Sequence, residues 1–358
     1  MVKLFEREYT RRELQSYFGT GHGVYGITRL TYDEGRRKGV QVAEFKTGSG
    51  LRFHVLLDRG LDIGLCEWAG IPISFQTSGG ETHPAYYEPE GDEWMRGWGG
   101  GLVTTCGLTY LGAPDQDSGQ DLGLHGRIHS IPGEEISTGT EWQGSEGLLR
   151  LTGKVRESKM LGYSVLCERT ITSKIGDNRI FLNDVITNEG FQSVPHMVLY
   201  HCNFGHPLLE GGTRLLTRGT VRPRDEVAAQ EGSRYNVYDD PDPNYPDTVF
   251  YHDLNPDETG FCTAALFNPR NHLGVYLRFP HKTLPRFIQW KYTHAGSYAA
   301  GLEPANCLVE GRSQERKRGT LQYLEPGESR NYSLEIGLLT TSHMQKQFMT
   351  KYFPEVRE

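Results

Sequence analysis

Residues 48–65 read GSGLRFHVLLDRGLDIGL, and the first half of that stretch decides the fold class. After the Gly48-Ser49-Gly50 turn signal, Leu51, Phe53, Val55 and Leu57 take every second position, with Arg52, His54 and Leu56 between them. A period of two puts alternate side chains on opposite faces of a strand; a helix repeats every three to four residues. Leu61, Ile63 and Leu65 resume the alternation after Gly60.

The same pattern recurs along the chain. Ile180, Leu182 and Ile186 follow a Gly176-Asp177-Asn178 turn, and Leu273, Val275, Leu277 and Phe279 follow Asn271-His272. Tyr332, Leu334, Ile336 and Leu338 follow Pro326-Gly327. Short strands separated by turns predict an all-β fold built as a large sandwich. Helices are expected at the two ends. Thr10-Arg-Arg-Glu13 has the spacing of a capping box and opens a short helix to Phe18, before Gly19. The tail from Met344 to Tyr352 is helical in pattern. Tyr238–Pro256, rich in Asp, Pro and Asn, is expected to be a long loop, and long loops are often functional. No repeat or boundary divides the 358 residues, so one domain over 1–358 is expected.

Composition narrows the function. The net charge is -7 with acids and bases interspersed, so a phosphate-binding stripe and a nucleic-acid partner are not expected. The N-terminus lacks an apolar signal core and no apolar run spans a bilayer. Six scattered cysteines form no CxxC pair and are expected as thiols in the cytoplasm. The 44 glycines and abundant aromatic residues suit tight turns between strands with rings on their faces.

Four stretches carry candidate chemistry. In QDLGLHGRIHS (120–130) two histidines stand four apart, but Gly123, Gly126 and the following Pro132 disfavour the helix a metal pair would need. His125 is expected on a glycine-flanked turn, against a ligand or a neighbouring carbonyl, and His129 is expected to be structural. WMRGWGGGLVTTCG (94–107) places Arg96 between two tryptophans before three glycines, as a cleft floor or a packed sheet corner. VLYHCNFGHP (198–207) delivers His201 and Asn203 to one strand face; the His201/His206 spacing alone makes a weak case for metal. In FIQWKY (287–292) Gln289 and Lys291 share the face opposite Trp290, and GLEPAN (301–306) sets Glu303 in an apolar segment. Desolvation there would raise its pKa toward neutrality, as proton transfer needs. Asp58, Arg59 and Asp62 are read as a structural ion-pair and turn device, and Tyr235, Tyr238 and Tyr245 as loop packing.

Taken in order, DRGLDIG (58–64), GGGLVTTCGL (99–108), LHGR (124–127), YHCNFGHP (200–207), FIQWK and GLEPAN resemble the aldose 1-epimerase, or galactose mutarotase-like, superfamily. More narrowly they resemble its epimerase-like DUF4432-type branch. The resemblance implies a β-supersandwich with an open sugar cleft, and His125, His201 and Glu303 as working groups. It maps Arg96 to a cleft arginine. Arg127 replaces a glycine usual in the family, and would either meet an acidic or phosphorylated sugar or pair with an Asp. The family's hydroxyl-binding aspartate could be Asp225, Asp247 or Asp253. Asn203, Gln289 and Lys291 complete the expected substrate contacts.

The implied chemistry is anomer interconversion of an aldose: Glu303 as base, His201 as acid, His125 and Arg96 holding hydroxyls. It needs no metal and no organic cofactor. A lyase using Arg127 and Lys291 against a uronate, another isomerase, and a non-catalytic sugar-binding protein are the alternatives. The expected partner is a small-molecule sugar, with no nucleic acid and no membrane; a homodimer stays open.

Overall fold

The computed structural model describes residues 1–355. Two large antiparallel sheets face each other. The first has eight strands, in the order Glu134–Gln143, Glu146–Ser158, Ser164–Lys174, Arg179–Asn188, Ser329–Leu339, Gly274–Pro280, Phe261–Phe267 and Arg214–Thr217. The second has 12 strands. Its main path runs Gly219–Pro223, Thr248–Leu254, Arg286–His294, Ser297–Ala305, Val194–Phe204, Val103–Leu108, Asp62–Trp68, Leu51–Leu56, Gln41–Lys46 and Gly26–Thr31. The alternations read from sequence lie on these strands.

Each sheet contributes one apolar face. In Glu146–Ser158 the residues Leu149, Leu151 and Val155 are buried while their neighbours are half-exposed. Each such side chain contributes about 1.5–3 kcal/mol on burial. From the larger sheet, Phe53, Val55, Val198, Tyr200, Cys202 and Phe204 fill the same core. The larger sheet is also covered on its outer face. There Trp94, Met197, Leu199, Val249, Tyr251 and Ile288 form a second apolar cluster. A sheet buried on both faces loses the polar alternation of a solvent-facing one.

That explains one departure from expectation. Tyr238–Pro256 is not one long loop, because Thr248–Leu254 is a strand paired with Arg286–His294. Six of its seven residues are buried, so it shows no period of two. The terminal helices are where the sequence puts them. Thr10 caps Arg11–Phe18 by accepting from Glu13 N, and Glu13 accepts from Thr10 N at 2.7 Å. The other covers Ser342–Tyr352. All six cysteines are free and buried. Among the described residues no helix is long and apolar enough to cross a membrane.

Candidate active site

The cleft lies on the outer face of the larger sheet, where two neighbouring strands bring a histidine and a glutamate together. His201 comes from Val194–Phe204 and Glu303 from Ser297–Ala305. The strands pair with Cys202 opposite Leu302 and Asn203 opposite Gly301. His201 Nε2 stands 3.3 Å from Glu303 Oε1, and both side chains are buried. Gly301 makes this approach possible. A Cβ there would come within 2.6 Å of Glu303 Oε1 and 3.0 Å of His201 Cε1.

His125 arrives from a loop. Its φ of 57° lies in the left-handed region, and Gly126 follows at 83°. A Cβ on Gly126 would meet the carbonyl oxygens of Gly107 and Tyr110 at 2.5 Å, so this turn sits directly on the strand beneath it. His125 N donates to Gly112 O at 3.0 Å. The His125 ring meets the His201 ring edge-on, with centroids 5.8 Å apart. His129 is structural: its Nδ1 accepts from Trp94 Nε1 at 2.9 Å and its Nε2 contacts Ser130 Oγ.

Aromatic rings wall the cleft. Trp94 and Trp98 stack at 5.3 Å, and Trp98 and Trp290 both pack against His201. The cavity, about 860 Å³, is also lined by Arg224, Tyr245, Asp247, Tyr292 and His294.

Burial governs the electrostatics. It pushes His201 down to about 3, with His125 acting in the same direction and Asn203 opposing. It pushes His125 down to about 4, opposed by Asp247. It pushes Glu303 well above the usual carboxylate range; Asp247 adds to this and Arg224 opposes. The 3.3 Å pair therefore favours its neutral form, a carboxylic acid beside an uncharged imidazole. Among the described residues His125 Nδ1 is buried without a hydrogen-bond partner, and His201 Nδ1 has only the side chain of Asn203 near it, short of a well-formed hydrogen bond.

Several expected contacts lie elsewhere. Arg96 is exposed and paired with Glu93 on a one-turn helix, Trp94–Gly97, whose tryptophan faces the cleft instead. Arg127 turns away and lies over the Tyr87 ring at 5.9 Å, near Tyr110 and Glu157. Asn203 spends its amide on Gly101 O and His201 O. Gln289 is buried among His252, Tyr235 O and Tyr238. Lys291 is fully buried against Glu231 and Arg234 O. Gln289 and Lys291 do share one face, but it points away from the cleft; the opposite face carries Ile288, Trp290 and Tyr292 into it.

The guanidinium in the cleft is Arg224, which sequence reasoning missed. It donates to Asp225 at 2.8 Å and to Asp247 at 3.0 Å. Among the three competing aspartates, Asp247 lines the cleft and accepts from Trp290 Nε1 at 2.6 Å. Asp225 caps the short helix Glu226–Ala229, and Asp253 lies exposed near Arg286. Tyr245 lines the cleft as well as packing the loop, where its hydroxyl donates to Glu231. A run of rings at 290, 292 and 294 was the signal for the missed wall residues.

Residues 37–338 match the family described as a domain of unknown function, DUF4432. Among solved structures, a candidate aldose 1-epimerase from Klebsiella pneumoniae superposes with a TM-score of 0.86 at 24% identity, covering 91% of this chain and 87% of that one. A galactose mutarotase-like protein from Clostridium acetobutylicum gives 0.63 at 12% identity, over 89% of this chain and 100% of that one. Galactose 1-epimerase from Lactobacillus acidophilus gives 0.60 at 12%, over 88% and 99%. The fold is the galactose mutarotase-like sandwich. No curated protein sequence matches the chain.

Proposed function

We propose, for a chain that belongs to the DUF4432 family and carries the mutarotase-like sandwich, that it interconverts the anomers of a monosaccharide unit. The observation that carries this reading is the buried His201–Glu303 pair, 3.3 Å apart on the floor of an aromatic-walled cleft.

Ring opening removes a proton from the C1 hydroxyl and delivers one to the ring oxygen. A pair that holds one mobile proton supplies both steps. With the proton on His201, Glu303 takes the hydroxyl proton as His201 gives its own to the ring oxygen. Burial favours the complementary form, with the proton on Glu303 and His201 as acceptor. In either form the C1–O5 bond breaks, the open-chain aldehyde forms, and C1 rotates about its bond to C2. Closure then reverses both transfers and restores the pair. His125 presents its ring beside His201 as a further hydroxyl contact, and Asp247, held by Trp290 and Arg224, accepts from sugar hydroxyls. Each positioned acid or base typically supplies about 10²–10⁴ in rate.

The uronate-lyase alternative loses its support, since Arg127 and Lys291 do not line the cleft and Arg224 is engaged by two carboxylates. The sugar-binding alternative leaves the unpaired acid beside a histidine without a task. Exchange NMR of anomer interconversion, over a panel of neutral, deoxy, acidic and phosphorylated aldoses, tests the proposal. Fast exchange of at least one sugar, lost in Glu303→Gln, is expected; full activity in that variant rules the assignment out.

A further inference from the structure

The cleft is longer than the chemistry needs. Trp290 stands over the reacting pair, with its ring centroid 5.7 Å from that of His201. Beyond it the same strand face continues with Tyr292 and then His294. Their rings run in near-parallel succession, 5.4 Å and 5.3 Å between centroids and 18° and 11° between planes. Those two separations, 5.4 Å and 5.3 Å, carry the row of ring centres from Trp290 to His294 over at most about 11 Å. One pyranose over the His201–Glu303 pair leaves the outer part of this row uncovered. All three rings are half-exposed, and they line the same continuous cavity. Its 860 Å³ lies toward the upper end of the roughly 300–1,000 Å³ that hold drug-sized ligands.

Polar, uncharged side chains line the same cavity beside this row. Asn244 and Tyr245 come from the loop before Thr248–Leu254, and Ser297 opens the next strand, paired with His294. The arginine of the cleft is held by Asp225 and Asp247, so no cation there is left to receive a phosphate or carboxylate.

We infer that Tyr292 and His294, with Asn244 and Ser297, form a second sugar subsite, and that the substrate is a neutral reducing disaccharide or longer oligosaccharide. Its reducing-end ring sits at His201–Glu303 and the next ring lies along the outer aromatic row. The free anomeric hydroxyl must stay at the reacting pair, so the second unit is joined through another hydroxyl of the first. Pyranose C–H groups pack on the part of this stacked, half-exposed ring row that is open to the cavity, while hydroxyls reach the polar side chains. This identification of substrate rests on the anomer-exchange reading; the subsite itself does not.

Two readouts separate the two. Binding by calorimetry and turnover by exchange NMR would be measured for maltose, cellobiose and lactose against glucose, galactobiose against galactose, and xylobiose against xylose. Wild type and Glu303→Gln would be used for binding. At least one disaccharide is expected to bind about tenfold more tightly than its own monosaccharide in both proteins. Tyr292→Ala, and separately Ser297→Trp, which fills the outer end, should bring that ratio toward one. Preference for a disaccharide in binding, without any exchange, keeps the subsite and overturns the anomer-exchange reading. Exchange of a monosaccharide, with no disaccharide preferred over its own ring, keeps that reading and overturns the subsite. A preference that survives both substitutions also overturns it.

Discussion

Tyr200 and His201 are consecutive, yet their side chains belong to two different kinds of buried electrostatics. Tyr200 points between the sheets, where its hydroxyl donates to Asp184 at 2.7 Å. Asp184 in turn accepts from Arg169, which is buried among Asp62, Asp184, Thr105 and Gly60 O. Those contacts use all five guanidinium N–H donors. His201 points the other way, into the cleft, beside Glu303 and His125. Among the described residues Nδ1 of His125 lacks a partner, Nδ1 of His201 has only Asn203 near it, and Glu303 meets His201 but no Lys or Arg. Both clusters are desolvated. The first is saturated with hydrogen bonds and ties strands of the two sheets together. The second has fewer partners, and its burial disfavours charge on both Glu303 and His201. Saturation goes with a structural role here; want of partners goes with the proposed reactive one.

The sharpest way to break this contrast is at the reactive pair. Glu303→Gln should lower kcat for anomer exchange by about 10²–10⁴, and His201→Asn by a similar factor. The double variant should be little worse than either single one, because the two act as one unit. Additive losses would mean that they act independently. At the saturated cluster the effect should fall on stability. Arg169→Met strands Asp62 and Asp184 without their cation, and about 3–5 kcal/mol should be lost, read as a lower denaturant midpoint. A loss below about 1 kcal/mol would show that water or rearrangement satisfies those carboxylates.

Acid stability sharpens the contrast further. His125 and His201 have folded-state values of about 4 and 3, below the ordinary 6.5. Their contribution is present above 6.5 and drains away as pH falls toward those values, because only the unfolded chain binds the proton readily. A tenfold difference in proton affinity between the folded and unfolded chain corresponds to about 1.4 kcal/mol. Glu303 carries the opposite sign. Its folded value is raised, so its contribution is full below about 4.5 and declines as pH rises. Glu303→Gln should therefore raise Tm at neutral pH by a few degrees, with the gain fading toward about pH 4.5, in calorimetry across that range. The smallest effect belongs to Arg96→Ala. It removes only an exposed pair with Glu93 and should change kcat/KM less than about twofold.

The fold, and the three side chains that meet in the cleft (His125, His201 and Glu303), were legible for local reasons. Alternation at Leu51–Leu57 needs only the strand itself, and the Thr10–Glu13 box closes within three residues. His125 could be placed on a turn because its flanking glycines disfavour the helix. The substrate contacts were not local. Alternation correctly grouped Gln289 with Lys291, but nothing within 287–292 says which face meets the cleft. That is settled by Glu231 and Tyr238, some fifty or sixty residues away, which cover the polar face from behind. Asp247 is singled out from Asp225 and Asp253 only by its contacts with Trp290 and Arg224. Thr248–Leu254 escaped notice because a strand buried on both sides loses its period.

The strand Arg286–His294 then has a practical meaning for anyone redesigning the protein. Gln289 and Lys291 bolt one face to the loop behind it, while Trp290, held by Asp247, and then Tyr292 and His294 line the cleft on the other. It behaves as a one-sided cassette. On the proposed sugar reading, exchanging positions 292 and 294 is expected to retune which sugars are accepted, while the fastening underneath stays untouched.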